Sequence, residues 1–165
     1  MIVYNFFRIL PILLLFEAVL FSFCLDSKFA KFWWFVVLGI ILNGLIWYIV
    51  GISIKKYDLA LSKRPQTAHC AYIENNKLTV SGGLPSGHCQ TMGFFATWFI
   101  IYIILNNFEW YIGAPMIGVL LWFIWFMMYS RVIYFRCHTW FQASTGSLIG
   151  SLVAIVLYVI YRWSM

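Results

Sequence analysis

Three polar clusters in this chain have the makings of a site for an anion: Lys56 with Arg64, then Ser86-Gly87-His88, then Arg131 with His138. No more than two acidic residues, Asp58 and Glu74, are expected on the same face of the membrane. Phosphate is the anion this set fits. Arg64 and Arg131 offer planar bidentate forks, Lys56 a point charge, and Ser86-Gly87 backbone N–H groups at the start of a helix. Such donors hold phosphoryl oxygens and stabilise the charge that builds in a trigonal-bipyramidal transition state. Two histidines can then divide the covalent work. One attacks phosphorus and the other protonates the leaving oxygen, since both roles need a side chain that titrates near neutral pH. The scheme requires no metal and no other cofactor. His69, His88 and His138 have no mutual ligand spacing, and Cys137-His138 is not a zinc pattern on its own. His69 reads as a loop histidine.

These residues are spread over more than 80 positions, so only the fold can assemble them. Of the 165 residues, 64% are hydrophobic and only 10% charged, which excludes a soluble globular domain. A spanning helix needs about 20 mostly apolar residues. Outside the polar stretch Lys55–Cys89 the chain holds about five such runs: Arg8–Leu25, Phe32–Ile54, Thr91–Leu105, Ile112–Tyr129 and Ala143–Tyr161. The first contains Glu17 and lacks a small-x-small cleavage site before Asp26, so it reads as a retained span rather than a signal peptide. Only helices satisfy their own backbone groups in lipid, and runs of this length are too long for barrel strands. The expectation is therefore an all-α, integral membrane helical bundle, one membrane-embedded domain over 1–165 with almost no mass outside the bilayer. Gly39, Gly44, Gly113 and Gly118 are expected to permit close helix contact, Pro115 to sit in the first turn of the fourth span, and Trp33, Trp34, Trp98, Trp110, Trp122 and Trp140 to form the interfacial and lipid-facing belt.

With five spans, the end of the second, the start of the third, the end of the fourth and the start of the fifth emerge on one face. All three polar clusters fall there. The net charge of +6 comes mostly from cations flanking apolar runs, which makes Lys55, Lys63, Lys77 and Arg136 interface anchors and argues against a nucleic-acid partner. Cys24, Cys70, Cys89 and Cys137 form no CxxC pair and are too few for a disulfide scaffold.

Lys56…Arg64-Pro65, Pro85-Ser86-Gly87-His88 and Ser130-Arg131…His138 together resemble the three-part signature of the type 2 phosphatidic acid phosphatase superfamily. In that family the motifs read Lys-x6-Arg-Pro, Pro-Ser-Gly-His and Ser-Arg-x5-His. The middle motif matches fully, and each outer one carries one extra residue here. Within a continuous helix an added residue turns its successor by about 100°. Either an irregular turn absorbs it in both intervals, or Lys55 or Lys63 takes the place of Lys56. The longer strings Gly83-Leu84-Pro85-Ser86-Gly87-His88-Cys89-Gln90 and His138-Thr139-Trp140-Phe141-Gln142 are most similar to the dolichyl diphosphatase branch.

The resemblance implies that His138 is the nucleophile that becomes a phosphohistidine and His88 the acid for the departing oxygen. It implies that Lys56, Arg64 and Arg131 grip the phosphate, with Ser86 and Gly87 completing the cradle. Gln142, one helical turn beyond His138, would accept from the imidazole Nδ1–H and hold the tautomer that leaves Nε2 to attack. The implied substrate is a polyprenyl diphosphate, dolichyl diphosphate first, with Trp140 beside its tail. Another lipid phosphate such as phosphatidic acid, or a catalytically silent scaffold of the same fold, are the alternatives. The implied setting is a multi-pass protein, of the endoplasmic reticulum membrane in a eukaryote, with the site luminal. Cation counting points the other way: Arg8, Lys55, Lys56, Lys63, Arg64, Lys77, Arg131 and Arg136 share the site's face, against Lys28, Lys31 and Arg162 opposite. Setting aside the three candidate phosphate ligands leaves five against three, which removes most of that bias.

Overall fold

Backbone groups in lipid have to find partners within their own segment, and this chain meets that demand with helices. The computed structural model describes residues 13–14, 16–20, 27–57, 72–74, 77–79 and 83–165. Among these, the long helices are α1 (Ser27–Tyr57), α2 (Gly87–Leu105), α3 (Trp110–Tyr129) and α4 (Trp140–Trp163), and a π-helical turn, Ser130–Tyr134, continues α3. All four are long and apolar enough to cross a membrane. The first expected run is helical at 13–14 and 16–20, and its remainder lies outside the described residues. The chain is a multi-pass membrane protein built as an all-α bundle. Within the polar stretch, β1 (Tyr72–Glu74) and β2 (Lys77–Thr79) pair antiparallel, with Ile73 opposite Leu78.

Two boundaries differ from expectation. The third span begins at Gly87 rather than near Thr91, so it crosses at 19 residues with the Ser86-Gly87-His88 segment forming its entry. The fourth begins at Trp110, which moves Pro115 out of the first turn and into the second, where the Tyr111 carbonyl loses its i+4 donor.

The bundle is centred on α2 and α4, whose backbones come into contact through glycines. A Cβ on Gly150 would lie 1.9 Å from the Gln90 carbonyl oxygen, one on Gly93 2.3 Å from that of Ser147, and one on Gly146 2.5 Å from that of Ser86. Small residues let backbones approach, and short polar side chains then bond across the seam. Ser147 Oγ donates to the Cys89 carbonyl at 3.3 Å and Thr97 Oγ1 to Ser151 Oγ at 2.8 Å. Helix α1 joins through Gln90 Nε2, which donates to the Asn43 carbonyl at 3.0 Å. At the end away from the candidate site, Lys31 Nζ donates to the Ser164 carbonyl and ties α1 to the end of α4.

Of the four glycines expected at helix contacts, Gly39 meets the Phe94 ring and Gly113 meets Ile103, whereas Gly44 and Gly118 face open space. The reason for Gly118 is the place of α3, which buries only Gly113 and Met127 and presents the rest of its length outward. Trp98 also departs from expectation. It is fully buried and ringed by Phe32, Phe35, Phe94, Tyr158 and Tyr161, while Trp34, Trp110, Trp122 and Trp140 are exposed as a belt requires. An aromatic this large is placed by its neighbours, not by a belt preference alone. Gly150→Ala is expected to destabilise the bundle by about 1–3 kcal/mol because backbone cannot yield to the new methyl. Gly118→Ala should stay within about 0.5 kcal/mol, as a surface change does. Thermal unfolding of both variants in one detergent measures the difference.

Candidate active site

The segment Gly83-Leu84-Pro85-Ser86 is buried where it leads into α2, with the Leu84–Pro85 peptide cis. Ser86 is extended at the helix N-cap, and its carbonyl accepts from Gln90 N–H at 2.9 Å. The N–H groups of the first turn have no acceptor within the helix, which suits them to an anion. The backbone at this entry is held by close neighbours. Ser86 N–H donates to the Gln142 carbonyl at 3.2 Å, Gly146 lies against Ser86, and a Cβ on Gly87 would meet the Trp47 indole at 3.3 Å. The Cys89 thiol, beneath this turn, sits beside Ser86 and within the field of the Arg131 guanidinium.

Arg131 lies in the π-helical turn and is only 8% exposed. Phe135 N–H reaches back five residues to the Ser130 carbonyl at 2.8 Å. A π turn holds one residue more than an α turn, which is the way this chain accommodates its longer Arg131–His138 interval. The turn then closes on itself: the Arg131 carbonyl accepts from Cys137 N–H at 2.9 Å and from His138 N–H at 3.3 Å. The guanidinium lies over the Phe135 ring, its Cζ 5.4 Å from the centroid, a contact that favours the planar cation.

His138 is 4% exposed, and its Nδ1 is 2.9 Å from the Gly83 carbonyl oxygen. A carbonyl can only accept, so Nδ1 carries the proton and donates, and Nε2 of the neutral ring keeps its lone pair. Gln142, expected from spacing to orient this ring, accepts through Oε1 from Thr139 N–H at 3.1 Å, while its own N–H donates to Thr139 Oγ1 at 3.2 Å. The two bonds form a capping box at the start of α4, and its Thr-x-x-Gln signature was present in the sequence to be read. A glutamine engaged by the helix cap one residue past the histidine directs its oxygen there.

Residues 32–165 match the model of the PAP2 superfamily. The chain belongs to the PAP2 superfamily. No curated protein and no solved structure matches it. As a PAP2 member it is a phosphatase, and its membrane-spanning helices suit a lipid substrate.

In this PAP2 chain the entry of α2 meets that of α4 through Ser86 N–H and the Gln142 carbonyl, His138 meets Gly83, and the Arg131 carbonyl accepts from His138 N–H; His88 follows Gly87 in the first turn of α2. The end of α1 reaches the same place, since Trp47 abuts Gly87 and Gly51 approaches Leu84. Lys56 stands one residue before the end of α1, but its side chain, like Arg64 and the alternatives Lys55 and Lys63, lies outside what is described. Among the described residues no group of three His, Cys, Asp or Glu side chains gathers as metal ligands would. Gly83, Thr139 and Gly146 shape the site without having been singled out as site residues. Of the described cysteines, Cys89 is a free buried thiol, whereas Cys137, next to His138, is disulfide-bonded.

Proposed function

We propose that this phosphatase hydrolyses the terminal phosphate of a polyprenyl diphosphate, dolichyl diphosphate being the first choice, to the monophosphate and inorganic phosphate. His138 Nε2 attacks the terminal phosphorus, and the bond to the bridging oxygen breaks as His88 protonates that oxygen. Water, deprotonated by the now neutral His88, releases phosphate from the phosphohistidine. Arg131, Lys56 and Arg64 neutralise the phosphoryl oxygens, and the backbone of Ser86 and Gly87 at the start of α2 completes the cradle. The observation that carries the reading is the Nδ1 contact to the Gly83 carbonyl, which commits His138 to the tautomer with a nucleophilic Nε2.

Two further observations support the finer choices. Trp140 and Phe141 stand two and three residues beyond His138 and are exposed, which provides apolar surface for an isoprenoid tail. The Cys137 disulfide favours an oxidising compartment, and so supports a luminal site over the cytosolic one that cation counting suggests; in a eukaryote the membrane is that of the endoplasmic reticulum.

Phosphate release from a panel of dolichyl diphosphate, dolichyl monophosphate and phosphatidic acid in excess EDTA tests the proposal. The diphosphate should turn over fastest, with full activity retained in chelator and inhibition by vanadate, which takes up trigonal-bipyramidal geometry in the same cradle. In sealed endoplasmic reticulum vesicles, cleavage of a water-soluble aryl phosphate should appear only after permeabilisation. Loss of activity in EDTA with recovery on adding magnesium or zinc would refute the metal-free scheme, and a preference for phosphatidic acid would refute the substrate.

A further inference from the structure

His138, read above as the nucleophile, is held by a backbone atom, and a backbone atom has to be held in turn. Its acceptor, the Gly83 carbonyl, belongs to a loop 55 positions earlier in the chain. The residue that touches both sides is Gln142. Its side-chain oxygen accepts from the N–H of Thr139, the residue after His138, at 3.1 Å. Its backbone carbonyl accepts from Ser86 N–H at 3.2 Å, three residues past Gly83. Its amide end packs directly on Gly83, so closely that a Cβ there would lie 2.6 Å from Nε2 and 3.0 Å from Cδ.

We propose that Gln142 is the positioning residue of the nucleophile, acting through Gly83: it fixes the peptide whose carbonyl accepts the Nδ1 proton. The contacts form a closed circuit that runs from the His138 ring to Gly83, across to the Gln142 amide, and back through Thr139 to the His138 backbone. Position 83 is glycine because the amide occupies the volume a side chain would need. A neutral carbonyl also fixes the tautomer without the charge a carboxylate would place beside the imidazolium that forms. The Gly83–Gln142 contact in this circuit can be opened from either side.

The inference rests on the reading of His138 as nucleophile, and a double-mutant cycle with a direct probe of the ring separates the two. Gly83→Ala should lower kcat about tenfold or more with little change in KM, because the methyl displaces the amide and shifts the carbonyl. Gln142→Ala should lower kcat similarly. The double variant should be no slower than Gln142→Ala alone, since the methyl then enters the space the amide has left. In protein labelled with 15N-histidine and held in nanodiscs, the His138 ring, assigned by loss of its signal in His138→Ala, should show Nδ1 protonated in the wild type and a mixture of tautomers in each single variant. Multiplicative losses in the double variant, or an unchanged His138 spectrum in both single variants, would overturn the positioning role and leave the nucleophile in place. Full activity of His138→Ala would overturn the nucleophile, whatever the Gly83 variants do.

Discussion

His138→Ala is expected to abolish phosphate release and phosphoenzyme formation on every substrate, whereas His88→Ala loses activity on lipid diphosphates but recovers part of it on an aryl phosphate. The difference follows from the two roles proposed above. An attacking nitrogen has no substitute in a buried site, so its removal leaves only what binding and charge stabilisation achieve without covalent chemistry. General-acid help is worth about 10²–10⁴-fold, and most of that is needed only when the leaving oxygen is basic. An aryl oxide departs without much protonation, so the His88 variant should regain much of its loss there and remain trappable as a phosphoenzyme under an alkaline quench of labelled substrate. Equal rescue of both variants would mean that the two roles are reversed or shared.

Arg131→Lys should cost about 10²–10³-fold in kcat/KM, the scale of losing one well-placed donor to a developing oxyanion. The position is unforgiving for two reasons on view in the fold, and a third feature preserves the backbone. Arg131 is almost fully buried, so a replacement cannot recruit water in its place. Its guanidinium lies over the Phe135 ring, which suits a planar, weakly hydrated cation better than an ammonium. Its backbone carbonyl accepts from the N–H groups of Cys137 and His138, which any substitution retains. The lysine variant should therefore keep the fold and the placement of His138 while losing the fork. Thermal stability close to wild type together with the kinetic loss is the expected pair of results. A variant within about threefold of wild type would show that Arg131 binds the substrate no more tightly than a point charge does.

The one-residue expansion between Arg131 and His138 shows where sequence reasoning can and cannot reach. Motif spacing is enough to say that a continuous α-helix through the interval would carry His138 off its face, and hence that an irregular turn is needed. It does not specify the turn. The π turn at Ser130–Tyr134 is one of several ways to house an extra residue, chosen by what the following backbone can bond to, and here the Arg131 carbonyl takes both Cys137 and His138. The glycines show the same limit. Gly44 and Gly118 have the same local signature as Gly39 and Gly113, yet only the second pair meets a neighbour, and the closest backbone approaches fall on Gly93, Gly146 and Gly150.

Composition alone determined that this chain lives in a membrane and that it does so as helices, because lipid leaves apolar runs of this length no other way to satisfy their backbone. Residue types alone pointed to phosphate, since cations, paired histidines and a Ser-Gly helix entry make few other chemistries possible. The group that meets His138 Nδ1 was decided only in three dimensions. Gln142 has the right spacing from His138 to bond it, yet the Nδ1 contact that the fold builds is to the carbonyl of Gly83, 55 positions earlier, while Gln142 Oε1 accepts from Thr139 N–H. Every residue has a backbone carbonyl, so a carbonyl carries no signature in a sequence. Which one meets a given side chain depends on how helices far apart in the chain pack against each other.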